Sequence, residues 1–593
     1  MGSPSPVGLR DYALGDVPTR IYCASLSEVE KPPLAGSSPP NADPASGSLS
    51  PVEELLASIW SQVLGRQNLR VGDDFFDLGG QSLPAAQMIA RARDLFGVDL
   101  DIRSVFENPT LAGLANVIEQ ARAGGHASVD VPLAPISRRG QLPMSFFQEW
   151  RFRADAALSV PLYNIALGFE LRGPLKVESL QDALSHLVNR HEPLRTNYEI
   201  VDGRPVQIIH EKGTSDLQID DLRAGPETTR REQAIHLLEA EASRVVDRRS
   251  EPLFHAQLVR FDEDAHFLLL RTDRIAVDGT SGSILIDELS ALYAAYARGD
   301  RPELDPPPLQ QADWAQWQRA RLQGPRLDGL IKYWRGKLDS SRPLLEMAIP
   351  DLPAPKQPNY RGCGSRLELG AALTSRLRRL ARENGATLFM VVLAALDSIL
   401  AKLSRSEQAT VLCPIANRTR PELERLVGCF AHGVVYRTDL SGDPSFRDLV
   451  KRVREVCLDA WAHHELPISE VARYLRPSSY LTVYDEFHVF FDGIRRQPML
   501  RLPGIAVDRA AVDKGAAHPS LALFLDDETP ELSMLMRADA DRFDEQSLGT
   551  LLRYLRDTLT VAASDPRQRA SRLPPPEAAL RDLLAATRQR ARV

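Results

Sequence analysis

With 593 residues the chain is too long for one hydrophobic core, so about two to four domains are expected. It is 43% hydrophobic and 25% charged, an ordinary globular balance, and its formal net charge of −7 gives no electrostatic case for nucleic acid or an anionic membrane. No window approaches the ~18 uninterrupted apolar residues of a membrane helix. The opening "MGSPSPVGLRDY" has no apolar signal core. Cys23, Cys363, Cys413, Cys429 and Cys457 are odd in number and lack metal-ligand spacing. They are expected to be reduced thiols, in a cytoplasmic protein without a metal.

In chain order, residues 31–49, "KPPLAGSSPPNADPASGSL", hold too little apolar surface to order themselves and read as a linker. Ser50, Pro51 and Glu53 then form a capping box ahead of "PVEELLASIWSQVLG", with Leu55, Ile59 and Leu64 expected along one face. Two more helical stretches, "SLPAAQMIARARDLFG" and "LAGLANVIEQARA", complete a unit of roughly seventy residues, near the lower limit for an independent fold. A short linker around "GGHASVD" ends it.

Within this unit, "VGDDFFDLGGQSLPAAQM" sets Ser82 directly after Gly79 and Gly80. On spacing alone Ser82 caps a helix. The stretch also resembles the attachment motif of peptidyl carrier domains of nonribosomal peptide synthetases, over about residues 50–123. The resemblance implies an all-α, four-helix-type domain with 4′-phosphopantetheine on Ser82, added by a phosphopantetheinyl transferase. A long flexible arm delivers its thioester to distant sites at high effective concentration. Residues 8–34 faintly resemble the closing segment of an adenylation domain, so 1–49 reads as a tail and linker with a possible vestige of one. No adenylation core is visible, and a separate adenylation enzyme is expected to load the carrier.

From about residue 132 the texture becomes mixed α/β. "YNIALGFELRG", "VQIIHE", "HFLLLRTD", "ATVLCPIA", "GVVYRTDL", "DEFHVFF", "SLALFLD" and "LSMLMRAD" read as strands. "LQDALSHLVNRH", "TLFMVVLAALDSILAKL" and "FRDLVKRVREVCLDAWAHH" read as helices. More than 400 residues of this kind suffice for two lobes. Four ordered stretches, "LPMSFFQEWRF", "NRHEPLRTNYE", "IANRTRPELERLVGCFAHGVVYRTDL" and "AHHELPISEV", resemble motifs of synthetase condensation domains. The resemblance covers about 140–570. It implies two lobes of chloramphenicol-acetyltransferase-like α/β fold, expected at about 132–310 and 325–575, with 576–593 as a tail. The active site is then a tunnel between the lobes, with carrier domains docking at its two mouths.

The strand "HFLLL" runs into "RTDRIAVDG", where the condensation family has "HHxxxDG". Asp273 and Arg274 replace both histidines. A guanidinium keeps its protons at physiological pH and offers no acceptor lone pair, so Arg274 cannot serve as the acceptor-side base. It is suited to a carboxylate, a phosphate or an oxyanion, or folds back onto Asp273 or Asp278. Asp278 is retained, and the family assigns it a structural pairing with the residue matching Arg418. Gly279 is expected to permit the tight turn.

Three readings follow. In the first, the large domain does not condense and recruits a tailoring enzyme, as the X-domains of glycopeptide synthetases do, which also carry Arg at the second position of this turn. In the second, Asp273, Asp278 and Ser281 fit the "DxxxxDxxS" of heterocyclisation domains. Only Asp273 discriminates there, and the flanking motifs are of condensation type. In the third, His432 in "CFAHGVVYR" is a relocated base for amide or ester formation, against the simpler reading of a strand-end histidine facing solvent or a carbonyl. Neither a thioesterase "GxSxG" elbow nor a nucleotide-binding glycine loop is present, so activation and release are expected from elsewhere.

Overall fold

The computed structural model describes residues 49–80, 82–123, 131–155, 162–213, 216–338, 361–484, 489–493, 498–513, 521–527, 529–576, 578–580 and 582–583. The N-terminal tail with Cys23, the linker around 124–130 and residues 584–593 of the C-terminal tail lie outside the described residues.

Four helices, Pro51–Leu64, Ser82–Phe96, Arg103–Glu107 and Leu111–Ala123, make the first unit. Its entry is set by the capping box. The Ser50 side chain accepts from the Glu53 N–H (3.2 Å), and the Glu53 carboxylate accepts from the Ser50 N–H (2.7 Å). The buried stripe of this helix is Val52, Leu56, Ile59 and Trp60, the spacing of a 3.6-residue period. Leu55, expected on that stripe, faces solvent at 45% exposure, because it lies a quarter-turn from Leu56. Trp60 meets Phe75 edge-on, with 5.1 Å between ring centroids, at the centre of the unit.

Lobe one is a five-stranded sheet in the order Ala506–Ala510, Asn164–Arg172, Ala265–Asp273, His255–Asp262, Leu217–Asp221. Helices Val177–Arg190 and Gly279–Arg298 cover one face and helix Glu227–Ala242 the other. The strand Ala265–Asp273 is therefore buried along its whole length, which its uninterrupted apolar run "FLLL" requires. Lobe two is a six-stranded sheet in the order His432–Asp439, Gln408–Ile415, Val489–Gly493, Leu521–Asp526, Ser533–Asp539, Gly362–Glu368. Its helices Leu388–Ser404, Phe446–Ala462 and Glu545–Ser564 share one core with the sheet. The apolar helix Leu388–Ser404 is almost wholly inside that core. Among the described residues no single helix is long and apolar enough to cross a membrane.

One segment departs from the expected split at about 310 and 325. Strand Ala506–Ala510 lies in the sequence of lobe two but pairs antiparallel with Asn164–Arg172 and closes the sheet of lobe one. The short polar strand "AVDRA" completes the neighbour's sheet rather than its own lobe's. The lobes are thus joined by an exchanged strand as well as by the chain between them.

The four-helix unit rests on lobe two. Arg91 pairs with Glu424 (2.6 Å), Arg103 with Glu455 (2.5 Å) and Asp459 (2.9 Å), and Asp77 with Arg382 (3.2 Å).

Candidate functional site

Two places in the chain carry the residues singled out by sequence. The first is the start of helix Ser82–Phe96. The preceding loop is shaped by Asp74, whose carboxylate accepts from the N–H groups of Phe76 (2.8 Å) and Asp77 (3.2 Å). Gly79 takes φ +100°, and a Cβ on Gly80 would stand 2.2 Å from the Phe75 ring. Gly80 also donates to the Phe75 carbonyl at 2.9 Å. Both glycines are required here, one by conformation and one by close approach. They deliver the chain into a helix whose first residue is Ser82.

The second place is the turn from strand Ala265–Asp273 into helix Gly279–Arg298. Asp278 caps that helix, and one of its oxygens accepts from the Ser281 N–H (2.8 Å) and from Arg418 (3.0 Å). Its other oxygen accepts from the Phe430 N–H (3.2 Å). The Ser281 hydroxyl lies 2.7 Å from Asp278 Oδ1 and accepts from Arg418 (2.8 Å) and from the Gly428 N–H (3.0 Å). Arg418 also donates to the carbonyls of Leu423 and Leu426 and stacks on the Phe430 ring. Asp278 and Arg418 are 1% and 2% exposed, so this cluster is a buried, hydrogen-bonded ion pair between lobes. Ser281 is spent inside it.

Asp273 is equally buried but looks the other way. One oxygen accepts from the Ile275 N–H (2.8 Å), and the other receives Nε (2.9 Å) and a terminal nitrogen (2.8 Å) of Arg248. Gln148 (2.9 Å) and Tyr198 (3.3 Å) hold the Ile275 carbonyl from the opposite side. Arg274 is fixed only through its backbone, which donates to the Tyr163 carbonyl (3.2 Å). Its side chain is exposed and, among the described residues, makes no hydrogen bond or ion pair. It folds back onto neither Asp273 nor Asp278. Gly279 needs correcting. Its φ is not positive, and a Cβ there would meet nothing within 4 Å, so the turn does not depend on glycine at this position.

His432 opens strand His432–Asp439 and is 3% exposed. Its Nδ1 lies 3.2 Å from the Gly433 carbonyl, and its Nε2 has no partner among the described residues. Burial pushes its pKa down to about 3, helped by nearby His464. The imidazole is therefore neutral at pH 7 and a weak proton acceptor. Cys363, Cys413, Cys429 and Cys457 are free thiols, and among the described residues no cluster is suited to a metal.

Arg248, Gln148 and Tyr198 went unread in the sequence. One signal was available for Arg248: a buried acid at Asp273 demands a cation, and "DRRSE" supplies candidates about 25 residues upstream.

Comparison with known proteins gives these places a context. A condensation-domain family model matches residues 138–584, and a phosphopantetheine-attachment-site model matches residues 54–118. A linear gramicidin synthase protein of Brevibacillus parabrevis is 38% identical over 447 residues, covering 74% of this chain and 6% of that protein. A second linear gramicidin synthase protein of the same organism is 36% identical over 540 residues, 89% of this chain and 10% of that protein. The chain thus spans about a tenth or less of these relatives. Among solved structures, the X-domain from teicoplanin biosynthesis superposes with a TM-score of 0.69 at 26% identity, covering 75% of this chain and all of that one. The complex of the X-domain and OxyB from the same biosynthesis gives 0.67 at 25%, covering 76% of this chain and 99% of that one. The first condensation domain of the calcium-dependent antibiotic synthetase gives 0.58 at 18%, a likeness of fold alone.

Proposed function

We propose a function on one premise: this chain belongs to the condensation-domain family, with its chloramphenicol-acetyltransferase-like lobes, and carries a phosphopantetheine carrier domain ahead of them. It is a nonribosomal peptide synthetase component whose carrier takes a covalent 4′-phosphopantetheine. That group supplies a thiol on a long arm, able to hold an acyl or peptidyl thioester. Ser82 is the residue that would hold it, since the Asp74 turn and the close approach of Gly80 fix where its helix starts. The carrier covers 50–123 and the lobes 132–575. A phosphopantetheinyl transferase, a separate loading enzyme and other carrier domains of a synthetase are its working partners.

The large domain serves as a platform that does not condense and recruits a tailoring enzyme to the carrier-bound chain. Arg274 carries this reading: an exposed guanidinium, unpartnered among the described residues, stands in the turn where a proton acceptor is needed. The teicoplanin X-domain, known in complex with OxyB, supports it as a structural relative. His432 is a poor substitute base, being neutral, buried and held at about 3. Heterocyclisation loses support because both oxygens of Asp273 are occupied, one by Arg248.

A second reading keeps bond formation through orientation of two tethered substrates alone. A donor–acceptor assay separates the two, using chain loaded with coenzyme A thioesters by a broad-specificity transferase. Loading should add one group by intact mass and vanish in Ser82→Ala. The loaded wild type should give no amide, ester or dehydrated cyclic product, yet retain a carrier-acting oxygenase in a pull-down. Rapid product that survives Arg274→Ala and collapses in His432→Ala would overturn the platform reading.

A further inference from the structure

We propose that lobe two carries a charge-coded seat for this chain's own carrier domain, in which Glu424, Glu455 and Asp459 recognise Arg91 and Arg103 around an apolar contact. The inference stands whether or not the lobes form bonds.

The centre of the seat is apolar. Ile102 and Phe106 of the carrier, 7% and 5% exposed, close a small gap against Phe389, Tyr436, Leu458 and Trp461 of lobe two. Such a contact gives adhesion without selectivity. Selectivity comes from the rim. Arg103 spans two carboxylates on successive turns of helix Phe446–Ala462, at 2.5 Å and 2.9 Å. Those carboxylates already have cations of their own lobe beside them, Arg454 at 2.5 Å and Lys337 at 3.2 Å. Glu455 and Asp459 therefore keep a cation beside them when the carrier is away, whereas Glu424 is given one only by Arg91 among the described residues.

The Arg91–Glu424 pair differs from ordinary surface pairs. Its side chains are only 23% and 16% exposed, so solvent screens it little. A carrier with a neutral residue at 91 would leave Glu424 part-buried and unpaired, which disfavours the wrong partner more than the pair favours the right one. The third pair, Asp77 with Arg382, has reversed polarity and is more than half exposed on both sides, so it adds orientation and little strength.

Position gives the seat its purpose. Glu424 lies within the loop whose carbonyls at Leu423 and Leu426 are held by Arg418, the same residue that grips Asp278. The helix that begins at Ser82 is thus registered, through Arg91, on the loop that braces the altered turn. Docking becomes a fixed geometry relative to the turn, set by two cations on the carrier.

Hydrogen exchange of the full chain, read by mass spectrometry, tests this. Reversing the lobe side with Glu455→Lys and Asp459→Lys leaves the carrier unmutated. It should speed exchange in the carrier helix Arg103–Glu107 about tenfold or more, while helix Pro51–Leu64 keeps its protection. Arg103→Glu should give the same pattern, and combining it with the lobe-side reversal should restore wild-type protection. Raising salt should erode protection at Arg103–Glu107 in the wild type and leave the sheet strands unchanged. Unaltered exchange in the lobe-side variant, or a combined variant that recovers nothing, would overturn the proposal.

Discussion

Asp273 and Asp278 stand five residues apart in one turn, both buried and both ion-paired, yet they do different work. Asp273 binds Arg248, a residue of its own lobe whose side chain retains 17% exposure. Asp278 binds Arg418 from the other lobe, 140 residues away and 2% exposed, and the same carboxylate caps a helix. One acid shapes the backbone of the turn, and the other fixes the joint between lobes. Between them the Arg274 side chain is exposed and makes no hydrogen bond or ion pair among the described residues. The frame of the turn is locked at both ends, and the position facing outward is the one where the family motif it resembles carries its second histidine. Asp278 is the lock shared with the family pattern, and Asp273 is a second buried lock that comes with the altered turn.

The largest expected effect tests the joint. Asp278→Ala strands Arg418 inside a buried cluster and should cost on the order of 3–5 kcal/mol. Asp273→Ala should cost roughly 1–3 kcal/mol, because water can reach the released Arg248 and only one local turn relaxes. Thermal and denaturant unfolding of both variants measures the gap. Equal losses would erase the distinction between a local lock and an inter-lobe one. Full stability with lost function in Asp278→Ala would move that aspartate into the chemistry.

A third buried carboxylate sharpens the contrast by lacking a cation among the described residues. Asp397, in helix Leu388–Ser404, has no hydrogen bond to either oxygen among the described residues. Burial pushes its pKa up to about 7, against a smaller opposing pull from Thr438. The folded chain then holds a proton that the unfolded chain releases near pH 4, so this group subtracts stability as pH climbs from about 4 to 7. Asp397→Asn removes that loss. It should stabilise the protein on the order of 2–4 kcal/mol at pH 8 and scarcely at pH 4, as read from unfolding midpoints at the two pH values. The sign is opposite to that at Asp278: an acid with a cation is missed when removed, and one without is not.

How much of this was legible depended on whether a residue's role is local. The capping box at Ser50, the glycine turn before Ser82 and the apolar strand ahead of Asp273 were readable, because each is set by neighbours within a few residues. Helix Arg103–Glu107 was not, since five residues hold too little period to register. Strand Ala506–Ala510 is short and polar, and its place in the other lobe's sheet is a tertiary fact. The Asp278–Arg418 pairing was reached through family resemblance, and its 140-residue separation put it beyond pattern reasoning. Arg248 escaped because an arginine in a charged loop looks the same whether it is solvated or buried against an acid.

The smallest expected effect on stability falls at Arg274, the residue on which the proposed function turns. Its side chain is exposed and unpartnered among the described residues, so Arg274→Ala should leave unfolding within about ±0.5 kcal/mol of wild type. Recognition is the role proposed for a residue that neither holds the fold nor accepts a proton. A guanidinium at that place is suited to an anion, as its five donors match a carboxylate or phosphate face to face. Arg274→Lys keeps the charge but loses the bidentate fork, and Arg274→Ala loses both. If the residue binds an acidic group of a partner or of the tethered chain, retention of a carrier-acting oxygenase should fall in the order wild type, Lys, Ala, with thermal stability flat across the series. Weakening by added salt should be steepest in wild type. A drop in thermal stability that parallels the loss of binding would make Arg274 a third lock of the turn and dissolve the contrast between its held ends and its free centre.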